Sequence, residues 1–248
     1  MNPLILIPAR MAATRLPNKP LADIGGKPMI VRAYEQAVLS GLPVAVAAGD
    51  QAIVDVIEAI GGTAVLTDPD LPSGSDRIRA ALEALDPDGR HDAVINLQGD
   101  MPFADPGLAV ACAALLHGEP ACDIATLVAR EADIPDRTNP DVVKAVLAKA
   151  DGDHHGRALY FTRSTLYGDA PVWRHIGLYG YRREALLRFC AAPPSPLEKR
   201  EKLEQLRALE MGLQIWAAVI DEAPLSVDNP ADLEAARALA RQGLGIRD

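Results

Sequence analysis

Short apolar runs alternate with helical stretches along the first 120 residues, and no other property of the chain narrows its fold more. Leu4-Ile5-Leu6-Ile7 has no polar face, which suits a strand covered on both sides. Pro28 opens a helical stretch through Ser40, with Gly41 as its stop. Val44-Ala45-Val46-Ala47 is the next strand, and Asp50 stands where it can N-cap a helix carrying Ile53, Val54, Ile57 and Ile60. Gly61-Gly62 ends that helix, Ala64-Val65-Leu66 is strand-like, and Asp76 to Leu85 is helical. Ala93-Val94-Ile95-Asn96-Leu97 is a further buried strand, followed by a helix from Pro106 to about Leu116. Strands and helices alternating at this spacing predict βαβ crossovers and a parallel sheet.

The rhythm changes after residue 123. Strands are expected over Asp123–Arg130, Val142–Ala150, Arg157–Arg163 and Ile176–Arg182, with Asp151-Gly152-Asp153 as a turn. A helix around Glu184–Cys190 follows, then a loop at Ala192–Pro196, a helix over Leu197–Met211, a strand over Leu213–Ile220 and a terminal helix from Pro230. The fold class is therefore α/β, a Rossmann-like mixed and mostly parallel sheet with an antiparallel insertion, in one domain.

The composition excludes several functions. With 25 basic against 34 acidic residues the chain carries a net charge of −9, unlike the basic surface of a nucleic-acid binder. No apolar run is long enough for a membrane span, and the N-terminus lacks the charge and length of a signal peptide. Cys112, Cys122 and Cys190 are scattered, with no pair at zinc spacing, so buried thiols in a reducing cytoplasm are expected.

Against the acidic average, the segment Met1–Ala22 carries Arg10, Arg15 and Lys19 and no acid. It leaves the end of the first strand, where open α/β sheets bind ligands. Pro8, Pro17 and Pro20 restrict its backbone, and guanidinium and ammonium groups there suit a polyphosphate as well as they suit solvent. Neither G-x-x-x-x-G-K-[ST] nor G-x-G-x-x-G occurs in it. Asp100 lies just past a buried strand, where a carboxylate can serve Mg²⁺ or simply a turn. Asp228 precedes Asn229-Pro230 and reads first as an ordinary helix start and only second as a metal partner of Asp100. Ser73-Gly74-Ser75 precedes a helix expected to begin near Asp76, so its N–H groups can meet a nucleotide or be capped by Ser75 or Asp76. Arg77 is placed to lean over the same site. In the later strand, His175, Gly177 and Tyr179 share a face by alternation, with space over Gly177 for a small ligand. The charged run Glu198–Arg207 reads as a mainly solvated helix face.

Several motifs along nearly the whole chain together resemble the CMP-Kdo synthetases, the 3-deoxy-manno-octulosonate (Kdo) cytidylyltransferases. Pro8-Ala9-Arg10-Met11-Ala12-Ala13-Thr14-Arg15-Leu16-Pro17-Asn18-Lys19-Pro20-Leu21 is similar to the family's opening signature. Ser73-Gly74-Ser75-Asp76-Arg77 stands for S-G-T-E-R, and Asn96-Leu97-Gln98-Gly99-Asp100 for N-x-Q-G-D. Asn139–Lys144 and Ala158–Ser164 match the middle strands, and His175–Arg182 matches H-x-G-x-Y-x-Y-R. Leu203-Glu204-Gln205-Leu206-Arg207 and Val227-Asp228-Asn229-Pro230 complete the series. One departure is Met101, which follows Asp100 where the family often has an acid.

The resemblance implies a nucleotide-diphospho-sugar transferase type of fold and CMP transfer from CTP to Kdo, for lipopolysaccharide synthesis. It implies that residues 1–120 mainly bind nucleotide, 121–220 mainly bind sugar and form a dimer contact, and 221–248 carry a metal ligand and the terminal helix. CTP would meet Pro8, Ala9, Arg10, Lys19, Ser73, Gly74, Ser75, Arg77 and Gln98. Kdo would meet Arg163, His175, Tyr179, Glu204 and Gln205, with Arg163 on the sugar carboxylate. Mg²⁺ would sit on Asp100 and Asp228, while Arg10, Arg15 and Lys19 neutralise the triphosphate. A soluble homodimer without nucleic acid or membrane insertion completes the expectation. The alternatives are a cytidylyltransferase for sialic acid or an amino analogue of Kdo, and a catalytically silent nucleotide-binding protein.

Overall fold

The structure, a computed structural model, describes residues 1–12, 16–131, 137–168 and 172–243. Its contacts divide the chain into two compact units, Met1–Val110 with the chain from Pro224, and Ala111–Ala223.

The first unit opens with β1 (Pro3–Ala9), a 3₁₀ turn at Lys19–Leu21 and a small hairpin of β2 (Asp23–Ile24) and β3 (Lys27–Pro28). Then follow α1 (Met29–Val38), β4 (Val44–Ala48), α2 (Gln51–Glu58), β5 (Ala64–Leu66), α3 (Gly74–Leu85), β6 (Ala93–Asn96) and α4 (Pro106–Gly118), inside which the division falls. The strands lie in the order β5-β4-β1-β6 and every pairing is parallel, with Ile5 opposite Val44, Val46 opposite Ala64 and Pro3 opposite Ala93. This is the predicted crossover architecture. Leu4, Ile5, Leu6 and Ile7 are all buried, as a two-sided strand requires. Because the strands run the same way, the loops after β1, β4, β5 and β6 emerge at one end.

The second unit contains β7 (Ile124–Glu131), β8 (Lys144–Ala148), β9 (His155–Thr162), β10 (Val172–Arg182), α5 (Arg183–Ala191), α6 (Pro196–Glu201), α7 (Gln205–Glu210) and β11 (Ile215–Ile220). The strand order is β10-β7-β11-β9-β8, and β8 also pairs with β10 at Trp173 and Arg174. All pairings are antiparallel except β7 with β11, so the expected insertion is present. Cys112 and Cys122 are buried and Cys190 partly so. Burial pushes the Cys122 thiol up to about 12 and raises that of Cys112 as well, which makes both inert.

The single helix expected over Leu197–Met211 is instead two short ones, broken at Lys202, whose φ is 55°. The cause is Arg207, which is buried rather than on a solvated face. Its Nε lies 3.0 Å from Glu198 Oε2, its Nη2 donates to Glu204 Oε1 at 2.9 Å, and its guanidinium sits 4.3 Å over the Phe189 ring. The break brings both carboxylates to one guanidinium.

The chain then returns to the first unit as α8 (Pro230–Arg241). Asn229 caps it, accepting from the Ala231 and Asp232 N–H groups, and Asp232 closes a capping box. Leu233 and Ala236 pack into a small core with Val227, Ile24 and Met29. The β2–β3 hairpin, hidden in the sequence as a polar loop, is thus clamped between α1 and the terminal helix. No helix among the described residues is long and apolar enough to cross a membrane.

Gly25 sits at this junction with φ +60°, and a Cβ there would lie 2.9 Å from Ala240 Cβ. Gly25→Ala should therefore lower stability by about 2–4 kcal/mol, combining left-handed strain with overpacking. A urea midpoint within error of the wild type would show that the terminal helix yields at no cost.

Candidate active site

The basic loop is fixed at both ends. At its start, Ala9 accepts from the Gly49 N–H at 2.8 Å, and the Met11 N–H donates to Asp50 Oδ2 at 2.8 Å. Asp50 holds the expected N-cap position of α2, but its side chain makes no cap hydrogen bond and is spent on the loop instead. At the far end, Asn18 takes the left-handed conformation (φ 57°), and Pro20 is buried in the 3₁₀ turn. Between these anchors Arg10 is exposed and Lys19 half-buried. Arg15 lies outside the described residues.

Lys19 Nζ reaches Asp100 Oδ2 at 2.8 Å and Asp228 Oδ1 at 3.2 Å. Both aspartates singled out in the sequence therefore meet one ammonium, though they lie far apart in the chain. Asp100 is delivered by β6 and by Gly99, whose missing Cβ would lie 3.0 Å from Ile30 Cδ1 and 3.3 Å from the Pro8 carbonyl oxygen. The Val227 N–H donates to the Asp100 carbonyl at 2.9 Å and ties the two loops together. Capping of α8 falls to Asn229 and Asp232, and the Asp228 N–H donates to Asp232 Oδ2 at 2.8 Å. The Asp228 carboxylate meets Lys19 and accepts from the Ser226 hydroxyl at 3.4 Å. Met101 is 5% exposed and does not line the cavity, so its thioether belongs to the core and displaces no group from the site.

A cavity of about 370 Å³ opens here, lined by Pro8, Ala9, Arg10, Lys19, Ser73, Gly74, Arg77, Gln98, Asp100 and Asp228, with Leu16, Met29 and Leu71 as apolar wall. Ser75 is buried and does not line it. Helix α3 begins at Gly74, two residues earlier than expected, because Ser73 rather than Ser75 or Asp76 is the cap and accepts from the Asp76 N–H. Gly74 lies close to Pro8, with a hypothetical Cβ 3.4 Å from Pro8 Cγ. Arg77 is a pinned group. Its Nη1 donates to Thr67 Oγ1 at 2.6 Å and to the Asp68 carbonyl, and its Nη2 to the Pro69 carbonyl. Burial, and then the charge of Arg10, lower its pKa, while Asp50 and Asp68 act against that shift. Gly49 and Asp50 went unrecognised as site residues. A Cβ on Gly49 would come within 2.8 Å of Arg77 Nη1 and 3.1 Å of Arg10 Cβ. The one signal in the sequence was a Gly-Asp pair directly after a buried strand.

In the second unit, His175 and Tyr179 do come together, with ring centroids 5.4 Å apart. A Cβ on Gly177 would meet nothing within 4 Å, so the space expected over that residue is open. The register of β10 on β7 slips there: Ile176 pairs with Leu127, but Tyr179 with Thr126. Residues 177 and 178 bulge, and the buried Thr126 hydroxyl lies 3.1 and 2.9 Å from the Ile176 and Leu178 carbonyls and 3.0 Å from His175 Nε2. Simple alternation could not foresee this. Phe161 packs edge-on to His175 at 4.9 Å.

Arg163 follows β9, and its Nη1 donates to the Pro140 carbonyl at 3.0 Å. The buried Lys144 grips its backbone, donating to the Arg163 carbonyl at 2.7 Å and to that of Asn139 at 2.9 Å. Lys144 lies in a motif that the sequence displayed without revealing this role. Glu204 pairs with Arg207, and its charge reaches Tyr179. Gln205 is buried, and its Nε2 has no hydrogen-bond partner.

The cytidylyltransferase family profile matches residues 4–215. A 3-deoxy-manno-octulosonate cytidylyltransferase of Rhodospirillum centenum is 56% identical over 248 residues, covering 99% of this chain and 96% of the relative. The chain belongs to the 3-deoxy-manno-octulosonate cytidylyltransferase family. A second member, from Parvibaculum lavamentivorans, is 57% identical over 98% of this chain and 95% of its own length. A CMP:2-keto-3-deoxy-manno-octonic acid synthetase, solved in complex with CTP, superposes with a TM-score of 0.89 at 36% identity, covering 98% of this chain and all of that one. The resemblance read from the motifs is therefore correct, and so is the α/β fold class it implied.

Burial pushes the His175 imidazole down from its ordinary value of 6.5 to about 3, and raises the Tyr179 phenol above its usual range. Both rings are neutral at pH 7. Between about pH 6.5 and 3 the unfolded chain binds the proton that folded His175 refuses. This stability contribution is full above pH 6.5 and is lost as pH falls. The His175 imidazole resonances in NMR should stay fixed from about pH 8 to 5; a titration step near 6.5 would show the ring to be solvated.

Proposed function

We propose that the chain transfers CMP from CTP to Kdo, releasing pyrophosphate and giving CMP-Kdo, the activated sugar for lipopolysaccharide synthesis. The observation that carries this reading is the convergence of Lys19 on Asp100 and Asp228 at the mouth of the cavity lined by Pro8, Ser73 and Gln98. Family membership supports it across nearly the whole chain.

The anomeric hydroxyl of the sugar acid attacks the α-phosphorus of CTP. A C–O–P bond forms, the bond to the bridging oxygen of pyrophosphate breaks, and the hydroxyl proton is lost. Arg10, Arg15 and Lys19 neutralise the triphosphate and the departing pyrophosphate. Loss of one such group typically costs roughly 3–4 kcal/mol of barrier. The Ser73-Gly74 turn and Gln98 orient the nucleotide, and catalysis is mainly positioning and charge stabilisation. On the sugar side Arg163 pairs with the carboxylate, and Gln205 offers its unused donor. His175, Tyr179 and Glu204 complete the recognition as hydrogen-bonding groups.

The two aspartates fit a hard divalent cation, since Mg²⁺ commonly takes one or two carboxylates and completes its shell with phosphate and water. Among the described residues no cluster of three or more His, Cys, Asp or Glu forms a fuller cage. Held by Asp100 and Asp228, Mg²⁺ would draw charge from the α-phosphate and acidify the attacking hydroxyl. The reading extends to a cytoplasmic homodimer, which rests on the resemblance alone.

Pyrophosphate release with CTP and a panel of keto-acid sugars tests the proposal. Kdo should be preferred. A preference for sialic acid or an amino analogue would reassign the sugar, and no release with any sugar would leave a silent nucleotide binder. Asp100→Asn should nearly abolish turnover with an unchanged circular dichroism spectrum; near-normal rates at saturating Mg²⁺ would remove Asp100 from the metal. Arg163→Ala should raise KM for the sugar acid about 10–100-fold, as expected for one charged hydrogen-bonding group, and leave KM for CTP within about twofold. Equal effects on both substrates would place Arg163 elsewhere.

A further inference from the structure

We propose that Thr126 is a positioning residue for the sugar-acid site: its hydroxyl fixes His175 as the tautomer protonated on Nε2, so that Nδ1 is the ring's acceptor for a sugar hydroxyl. The inference rests on the reading of His175 as a sugar-binding group and adds which hydrogen bond that group makes.

A threonine hydroxyl has one proton to donate and two lone pairs that accept. Thr126 Oγ1 lies 2.9 Å from the Leu178 carbonyl, 3.1 Å from the Ile176 carbonyl and 3.0 Å from His175 Nε2. The bulge in β10 brings both carbonyls onto this one hydroxyl. Carbonyls only accept. If the hydroxyl proton went to the imidazole, two carbonyl oxygens would face the Oγ1 lone pairs at hydrogen-bond distance with no proton between. Thr126 is fully buried, so water does not relieve that cost. If the proton goes to the carbonyls, Nε2–H donates to Oγ1 and all these groups are satisfied.

Packing holds the ring while the hydroxyl sets its proton. Phe161 meets His175 edge-on at 4.9 Å, and Tyr179 lies 5.4 Å away on the same strand. Burial keeps the imidazole neutral at pH 7. A neutral ring carries one N–H, so a proton on Nε2 leaves Nδ1 with its lone pair. His175 is half-buried and so keeps some surface for a ligand, and the space over Gly177 in the adjoining bulge is open. A bare nitrogen accepts from a hydroxyl and cannot pair with a carboxylate. On a sugar acid it therefore selects a hydroxyl and leaves the carboxylate to a cation such as Arg163.

Long-range proton–nitrogen NMR correlation on the full-length wild type at pH 7 reads the tautomer, with the His175 signals assigned by their loss in His175→Asn. Nε2 should be protonated and Nδ1 bare; a ring protonated on Nδ1 overturns the proposal. Adding Kdo should shift the Nδ1 resonance while Nε2 stays protonated, and an Nδ1 signal that Kdo does not move overturns it equally. Thr126→Val keeps the side-chain shape and removes the hydroxyl. His175 should then populate both tautomers, and KM for Kdo should rise about 3–10-fold, as expected for one neutral hydrogen bond, with kcat and KM for CTP within about twofold. Thr126→Ser keeps the hydroxyl and should restore both the tautomer and KM. An unchanged KM for Kdo in Thr126→Val, or a Thr126→Ser as impaired as Thr126→Val, overturns the positioning role. Should Thr126→Val not fold by circular dichroism, the wild-type spectra with and without Kdo decide. His175→Asn separates the two failures. If its KM for Kdo is unchanged, His175 leaves the sugar site and the proposal falls with that reading. If its KM rises while that of Thr126→Val does not, the sugar-binding reading stands and only the role of Thr126 falls.

Discussion

Residues 19, 100 and 228 meet in one charge cluster, and the first unit is arranged so that they can. Each comes from a different kind of support. Lys19 stands on a loop turned by a left-handed Asn18, Asp100 on a Gly99 turn after a buried parallel strand, and Asp228 on the residue before a capped helix. The forces that bring them together are not their charges. Partly exposed ion pairs contribute little by themselves. The Val227 to Asp100 backbone bond and the apolar cluster of Ile24, Met29, Val227, Leu233 and Ala236 hold the loops in place, and the charges occupy positions that burial has already set.

The second unit solves a different problem. Its residues expected to meet a sugar acid include buried rings, and burial keeps His175 and Tyr179 neutral. Among the residues expected to meet the sugar acid, charge sits on Arg163 and on Glu204, which pairs with Arg207. Arg207 brings Glu198, Glu204 and the Phe189 ring to one guanidinium and fixes the turn that presents Gln205. A buried ion pair of this kind is poor evidence for net stability, but removal of one partner leaves an uncompensated charge. Its clearest effect here is geometric, since the chain must break at Lys202 to satisfy it.

Much of this was legible in the residues. Two-sided apolar runs announced the parallel strands, and Pro28, Gly41, Gly61 and Pro230 punctuated the helices as they should. The resemblance carried by the motifs implied that Arg10, Lys19, Asp100 and Asp228 share one site, and all four line one cavity. What escaped was set by long-range satisfaction rather than local preference. Asp50 reads as a helix cap and instead holds Met11, because the loop offered a backbone donor that local rules ignore. The bulge at residues 177 and 178 is met by the Thr126 hydroxyl from another strand, which strict alternation does not foresee, although the space it expected over Gly177 is open. The β2–β3 hairpin is too short to carry a periodic signal.

Met101 shows how burial decides what a departure from a pattern means. Judged by its neighbour Asp100, a thioether in place of an acid looks like damage to a metal site. The Met101 side chain turns into the core, so adjacency in sequence does not make it adjacent to the cation. The same distinction governs the net charge of −9. An average over the surface says little about a cavity whose field is set by Arg10, Lys19 and the few groups near them. Acids outside that cavity set the average, while the two inside it meet Lys19.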